Sequence, residues 1–234
     1  MNFLKAEWRK LAIINYEINP DLLSAYLPKG TELDFYNDKC YISLVGFMFL
    51  NTKLLGLPIP FHRNFEEVNL RFYVRKKENG VWKRGVVFIK EIVPKPALSL
   101  VANSVYKENY HTMPMKNLIQ EKEDELLIRY SWKDKSWHSI QIMAENRTRP
   151  MEENSEFEFI TEHYFGFTKK ENTTSEYEVC HPKWEFYTVK DHQLEIDFQK
   201  IYGNDFECLN HQNPISVMLA EGSEIEVKTK NYIS

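Results

Sequence analysis

The chain has 234 residues, of which 43% are hydrophobic, 27% charged and 14% aromatic, with a formal net charge of −4. That composition excludes a disordered chain, and the small acidic excess gives no electrostatic hold on a nucleic-acid backbone, so nucleic acid is not an expected partner. The aromatic share favours strands over helices, and a single domain of the all-β class is expected to span residues 1–234.

The opening run Met1-Asn2-Phe3-Leu4-Lys5-Ala6-Glu7-Trp8 has neither the apolar core nor the small-residue cleavage site of a signal peptide, and a cytoplasmic location is expected. Residues 19–28 read as a short helix: Asn19 can cap it, Pro20 sits in its first turn, and Pro28-Lys29-Gly30 ends it. Strands are expected over 31–36 and 39–50, joined at Asn37-Asp38, which accept the positive φ of a tight hairpin. The second contains the longest apolar run, residues 41–50. That is about half of the roughly 20 residues a membrane-spanning helix needs, so it reads as a buried strand and no membrane partner is expected.

Strict alternation over 64–74 signals a strand, followed by a Glu78-Asn79-Gly80 turn and a strand over 81–92. A short helix is predicted over 97–106. A hairpin follows, with strands over 126–132 and 136–144 about Lys133-Asp134-Lys135. Further strands are predicted over 156–167 and 184–189, and a short helix over 197–202. The C-terminal part reads as strand, turn and strand over 217–220, Glu221-Gly222-Ser223 and 224–228. The fold class is mainly β, a barrel or barrel-like sandwich with a few short helices.

The strand beginning at Glu67 places Val68, Leu70, Phe72 and Val74 on one face and Glu67, Asn69, Arg71 and Tyr73 on the other. The second row reads either as an ordinary solvated face or as the lining of a cavity. A carboxylate, an amide, a guanidinium and a phenol are directional groups of the kind that hold a small ligand inside a barrel. In a cavity, Arg71 could grip a carboxylate with two parallel hydrogen bonds, and Glu67, within about 14 Å along the strand, could act as acid or base.

Lys90 follows an apolar run and reads either as a surface charge or as a desolvated amine able to form a Schiff base. The hexapeptide Tyr106-Lys107-Glu108-Asn109-Tyr110-His111 gathers two phenols, a carboxylate and an imidazole, in a pocket wall or in a solvated loop. The mixed aromatic and imidazole runs Glu162-His163-Tyr164-Phe165-Gly166-Phe167 and His181-Pro182-Lys183-Trp184 read as core aromatics with satisfied polar tips. Cys40, Cys180 and Cys208 have no paired spacing and read as reduced thiols. The seven histidines show no metal-binding spacing, so no metal site is expected. No serine-hydrolase, P-loop or dinucleotide motif is present, and no cofactor is implied.

Several segments in this order are similar to one family. They are Phe3-Leu4-Lys5-Ala6-Glu7-Trp8-Arg9, Leu27-Pro28-Lys29-Gly30-Thr31-Glu32-Leu33-Asp34, Ser43-Leu44-Val45-Gly46-Phe47, the run from Phe65 to Val74, His181-Pro182-Lys183-Trp184 and the run from Pro214 to Ser223. Together they resemble the YqjF-like family of uncharacterised bacterial proteins, within the acetoacetate decarboxylase-like superfamily. The resemblance implies a closed β-barrel with a central cavity. In the decarboxylase a lysine forms a Schiff base with a β-keto acid, a neighbouring lysine lowers its pKa, and a glutamate and an arginine shape the site. Glu67 is similar to that glutamate.

The decarboxylase pattern has two successive lysines after a proline, where this chain has Met113-Pro114-Met115-Lys116. Its only Lys-Lys pairs, Lys76-Lys77 and Lys169-Lys170, lie in charged, turn-like surroundings. Two amines therefore compete for the catalytic place, Lys90 and Lys116, beside Glu67 as acid or base. The expected ligand contacts are Asn69, Arg71, Tyr73, Tyr106, Tyr110 and His111. The expected ligand is a small anionic carboxylate or keto compound, handled either by lyase-like chemistry or by binding alone. A third reading has a barrel filled by side chains that acts through its surface as a dimer.

Overall fold

The computed structural model describes residues 2–58, 60–105, 108–169 and 173–233. In chain order the elements are β1 (Asn2–Glu17), a 3-10 turn (Pro20–Leu23), β2 (Glu32–Leu33), β3 (Phe35–Tyr36), β4 (Lys39–Leu54), β5 (Leu57–Pro58), β6 (Phe65–Glu78), β7 (Val81–Val93), α1 (Pro96–Val105), β8 (Tyr110–Thr112) and β9 (Met115–Glu121). There follow β10 (Glu125–Lys133), β11 (Trp137–Arg149), α2 (Glu156–Thr161), β12 (Phe165–Lys169), β13 (Thr174–Cys180), β14 (Phe186–Glu195), α3 (Phe198–Tyr202), a second 3-10 stretch (Asn204–His211), β15 (Ser216–Lys228) and β16 (Asn231–Ile233). The protein is mainly β, as its aromatic content predicts.

Seven strands run side by side in the order β13, β12, β7, β6, β4, β1, β15. A short pairing, Val179 with Val227 and Cys180 with Glu226, brings β15 back to β13 and turns the row into a barrel-like ring. From β15 the sheet continues through β14, β11, β10 and β9. This wing folds over the outside of β1, β4 and β6, where Tyr130, Trp132, Ile140 and Ile142 meet Ile42, Leu44, Leu70 and Phe72.

The middle strands are therefore buried on both faces. On β6, Val68, Leu70, Phe72 and Val74 are fully buried in the core between ring and wing, each contributing roughly 1.5–3 kcal/mol. The alternating residues Glu67, Asn69, Arg71 and Tyr73 are buried on the inner side of the ring. The solvated-face reading of that row does not hold, because residues 65–74 of β6 are buried on both sides.

Asn37 and Asp38 adopt φ of 49° and 63° in the hairpin between β3 and β4, as expected. The expected helix over 19–28 is only a 3-10 turn, in which the Asn19 side chain accepts from the Asp21 amide at 3.1 Å. Residues 156–167 are not one strand. Ser155 caps α2 by accepting from the Glu158 amide at 3.2 Å, while the Glu158 carboxylate accepts from the Asn154 amide at 2.6 Å. Local capping thus overrides the strand-like aromatic pattern, and only Phe165–Lys169 is extended.

The expected turn at Glu221-Gly222-Ser223 is instead the middle of the single strand β15. Gly222 has φ of +81°, and a Cβ there would lie 2.0 Å from the Trp8 carbonyl oxygen. It serves close approach of β15 to β1 rather than chain reversal. β1, β9 and β13 had no counterpart among the expected strands.

Candidate functional site

The inner row of β6 opens onto a cavity of about 200 Å³ inside the ring. That is somewhat larger than the roughly 150 Å³ of an apolar cavity able to admit benzene. Its walls are largely aromatic and aliphatic, with Trp8, Phe47, Phe49, Phe65, Phe88 and Trp184 prominent. One side is polar: Glu67, Asn69 and Arg71 from β6, Glu91 from β7, Glu108, Tyr110 from β8, and His163.

Local backbone features decide which residues take part. The pairing of β6 with β7 slips by one residue at Ile89: Leu70 opposes Lys90, whereas Arg71 opposes Phe88. Because of this bulge, Phe88 and Glu91 both face the cavity although they are three residues apart. Lys90 shares the outer face with Leu70, and its ammonium donates to the Ile201 carbonyl at α3. β8 runs parallel to β7 with Tyr110 beside Glu91 and His111 beside Ile92. Tyr110 consequently points inward, and His111 is exposed with Nε2 2.9 Å from the Asn109 amide oxygen.

The expected site residues thus separate. Glu67, Asn69, Arg71 and Tyr110 line the cavity together. Tyr73 stands on the same inner face but does not line it, and its hydroxyl lies 2.7 Å from Ser43 Oγ. Lys90 and His111 face elsewhere. Lys116 is exposed on β9, with its ammonium 4.3 Å from the Trp137 ring centre. Tyr106 lies outside the described residues. Among the described residues no lysine lines the cavity, so the Schiff-base amine has no occupant there.

Glu67 accepts from Asn69 Nδ2 at 2.9 Å and from the Tyr110 hydroxyl at 3.1 Å. Burial pushes its carboxyl up to about 7, against the pull of those two donors and with Glu108 adding repulsion. Burial, together with the neighbouring Glu108 and Glu67, also holds Glu91 well above the usual carboxylate range. Glu108 itself accepts from Thr168 Oγ1 at 2.6 Å. Among the described residues no three His, Cys, Asp or Glu side chains are grouped so as to hold a metal ion.

Among the described residues Arg71 has one hydrogen bond, a long 3.4 Å contact from Nη2 to the Ile160 carbonyl, and its buried Nε has no partner. It is not alone. Of ten buried side-chain atoms without a partner among the described residues, six belong to cavity-lining residues: Trp8, Thr52, Asn69, Arg71, Glu91 and His163. Unsatisfied polarity is rare in protein interiors, and its concentration at one cavity sets this wall apart from the rest of the core.

Sequence reasoning passed over Glu91, Glu108 and His163 as site residues. A bulge places Glu91, and no residue pattern announces it. Glu108 belongs to the hexapeptide with mixed phenols and imidazole, whereas His163, within the strand predicted over 156–167, lies instead in the loop between α2 and β12.

A family model for uncharacterized conserved proteins, DUF2071, matches residues 5–224. The chain belongs to the DUF2071 family. One relative of this DUF2071 chain is the uncharacterized protein YqjF of Bacillus subtilis (strain 168), 28% identical over 186 residues, which are 77% of this chain and 74% of that protein. The DUF2071 ring also resembles the acetoacetate decarboxylase from Legionella pneumophila subsp. pneumophila str. Philadelphia 1, with a TM-score of 0.67 at 15% identity over 99% of this chain and 87% of that one. An acetoacetate decarboxylase-like enzyme from Sphingomonas wittichii RW1 gives 0.66 at 10% identity, over 100% and 94%. The enduracididine biosynthesis enzyme MppR, complexed with pyruvate, gives 0.67 at 11% identity, over 100% and 91%. At these identities the likeness is one of fold.

Proposed function

We propose that the cavity binds a small organic acid with an apolar body, a carboxylate or oxo acid of fewer than about ten non-hydrogen atoms. The observation that carries this reading is Arg71: a buried guanidinium that makes no ion pair among the described residues and keeps an unpartnered Nε beside a cavity. Glu67 feels the guanidinium's charge but does not pair with it, and an incoming carboxylate supplies a partner in the paired geometry that guanidinium favours. The aromatic wall accepts the carbon chain. MppR, a fold neighbour, was obtained with pyruvate, a compound of this class.

Glu67, near 7, exchanges a proton at neutral pH and is the group from which acid–base chemistry on an oxo acid, such as proton removal beside its carbonyl, would proceed. A second reading, binding without reaction, is favoured by the absence of a lysine from the described lining.

The test is tryptophan fluorescence, since Trp8 and Trp184 line the cavity, titrated with hexanoate and 2-oxohexanoate. Saturable quenching that weakens at least tenfold in Arg71→Gln is the expected result. Equal response from the variant, or none from the protein, would overturn the proposal.

A further inference from the structure

His163 and Asp34 form a pair that neither binding of the acid nor proton transfer by Glu67 uses. His163 follows α2 and lines the cavity, with its ring packed between Tyr73 (centres 4.9 Å apart) and Phe159 (5.0 Å). Its Nε2 lies 3.1 Å from Asp34 Oδ2. The same oxygen accepts from Arg84 Nε at 2.7 Å, and the Asp34 amide donates to the Tyr73 carbonyl at 3.0 Å. Asp34 is thus a buried carboxylate held by His163 and Arg84, on a backbone pinned to Tyr73.

An ionised carboxylate only accepts, so the shared hydrogen sits on Nε2 and fixes the imidazole tautomer. Nδ1 is then a bare lone pair, and it is buried without a partner. Burial, and the positive charges of Arg84 and Arg71, keep the ring neutral by lowering its pKa to about 4, so Nδ1 remains an acceptor at neutral pH. Asn69 Oδ1, also buried and unpartnered, is a second acceptor at the same cavity.

The guanidinium and the imidazole are close neighbours. The Arg71 guanidinium carbon lies 5.7 Å from the centre of the Tyr73 ring, against which His163 also packs, and Arg71 donates to Ile160, three residues before His163. A carboxylate on Arg71 therefore shares this part of the cavity wall with a fixed acceptor. A bare carboxylate or a keto oxygen has no hydrogen to offer that acceptor, whereas a hydroxyl close to the carboxylate does.

We infer that the ligand is a hydroxy acid, whose carboxylate meets Arg71 and whose hydroxyl donates to His163 Nδ1, with Asp34 as the positioning residue that turns the lone pair toward the cavity. This rests on the carboxylate reading and narrows it to one substrate class. A site built to hydrogen-bond a hydroxyl discriminates strongly against the analogue lacking it, because the buried acceptor is otherwise left unpaired.

The experiment compares hexanoate with each enantiomer of 2-hydroxyhexanoate by calorimetry on the intact chain. The better enantiomer is expected to bind at least tenfold more tightly than hexanoate, and this ratio is expected to collapse toward one in His163→Phe and to fall in Asp34→Asn. The ratio in the unmodified protein needs no variant to fold. Equal affinities for the three acids, with dependence on Arg71 intact, would overturn the hydroxyl inference alone. Failure of all three to bind would overturn the carboxylate reading beneath it. A preference that survives in His163→Phe would rule out His163 as the acceptor of the hydroxyl, and one that survives undiminished in Asp34→Asn would rule out Asp34 as the residue that positions it.

Discussion

Replacement of Glu67 by Gln is expected to stabilise the protein at pH 8 and to leave it almost unchanged at pH 4.5. In the unfolded chain this carboxyl titrates near 4.5, whereas burial in the ring raises it to about 7. Between those values the folded state holds a proton that the unfolded state has released, so stability falls as pH rises. The contribution is fully present below the unfolded value and lost as pH climbs through the folded one. The difference corresponds to at most on the order of 3 kcal/mol. Gln keeps the shape and can still accept from Asn69, but it has no charge to bury.

Urea unfolding followed by tryptophan fluorescence at pH 4.5, 6, 7 and 8 reads this directly. The stability difference between Glu67→Gln and the parent should open progressively across that range. A downward slope should persist in the variant, because Glu91 is also raised well above its ordinary value. Two parallel stability curves, or a variant less stable at pH 8, would refute the reasoning and mean that the Glu67 charge is satisfied in the folded protein.

Borohydride reduction in the presence of acetoacetate is expected to leave the intact mass unchanged, since no described lysine reaches the cavity and Lys90 is turned toward Ile201. An adduct on any lysine would restore the Schiff-base reading. Gly222→Ala should destabilise the fold by more than about 2 kcal/mol, from positive φ and a Cβ driven into the Trp8 carbonyl. Urea unfolding checks this, and a neutral result would mean that β1 and β15 separate easily there.

The central strand was legible because alternation is a property of neighbouring residues: it assigned Val68, Leu70, Phe72 and Val74 to one side and Glu67, Asn69 and Arg71 to the other. What it could not supply was the second layer. The outer row is buried because the wing packs over it, and the inner row because β15 returns to β13 and closes the ring; both contacts are remote in sequence. The bulge at Ile89 was equally invisible, and it reverses the fates of two adjacent residues: Glu91 enters the site and Lys90 leaves it. The helix at Glu156–Thr161 is a different case. Ser155 and Glu158 stand at capping-box spacing, so the signal is in the sequence, but the aromatic pattern around it is equally that of a strand.

A strand enclosed on both sides answers to two separate masters. The even-numbered residues of β6 from Val68 to Val74 must satisfy the packing of the wing, and the odd-numbered residues from Glu67 to Arg71 line the cavity and bond to its wall. Substitution on one side leaves the other almost untouched. Within one ring fold the chemistry of the interior can therefore differ while the shell that holds it stays the same. This gives a physical reason why a ring that resembles the decarboxylase fold can have, among the described residues, no lysine on its cavity wall.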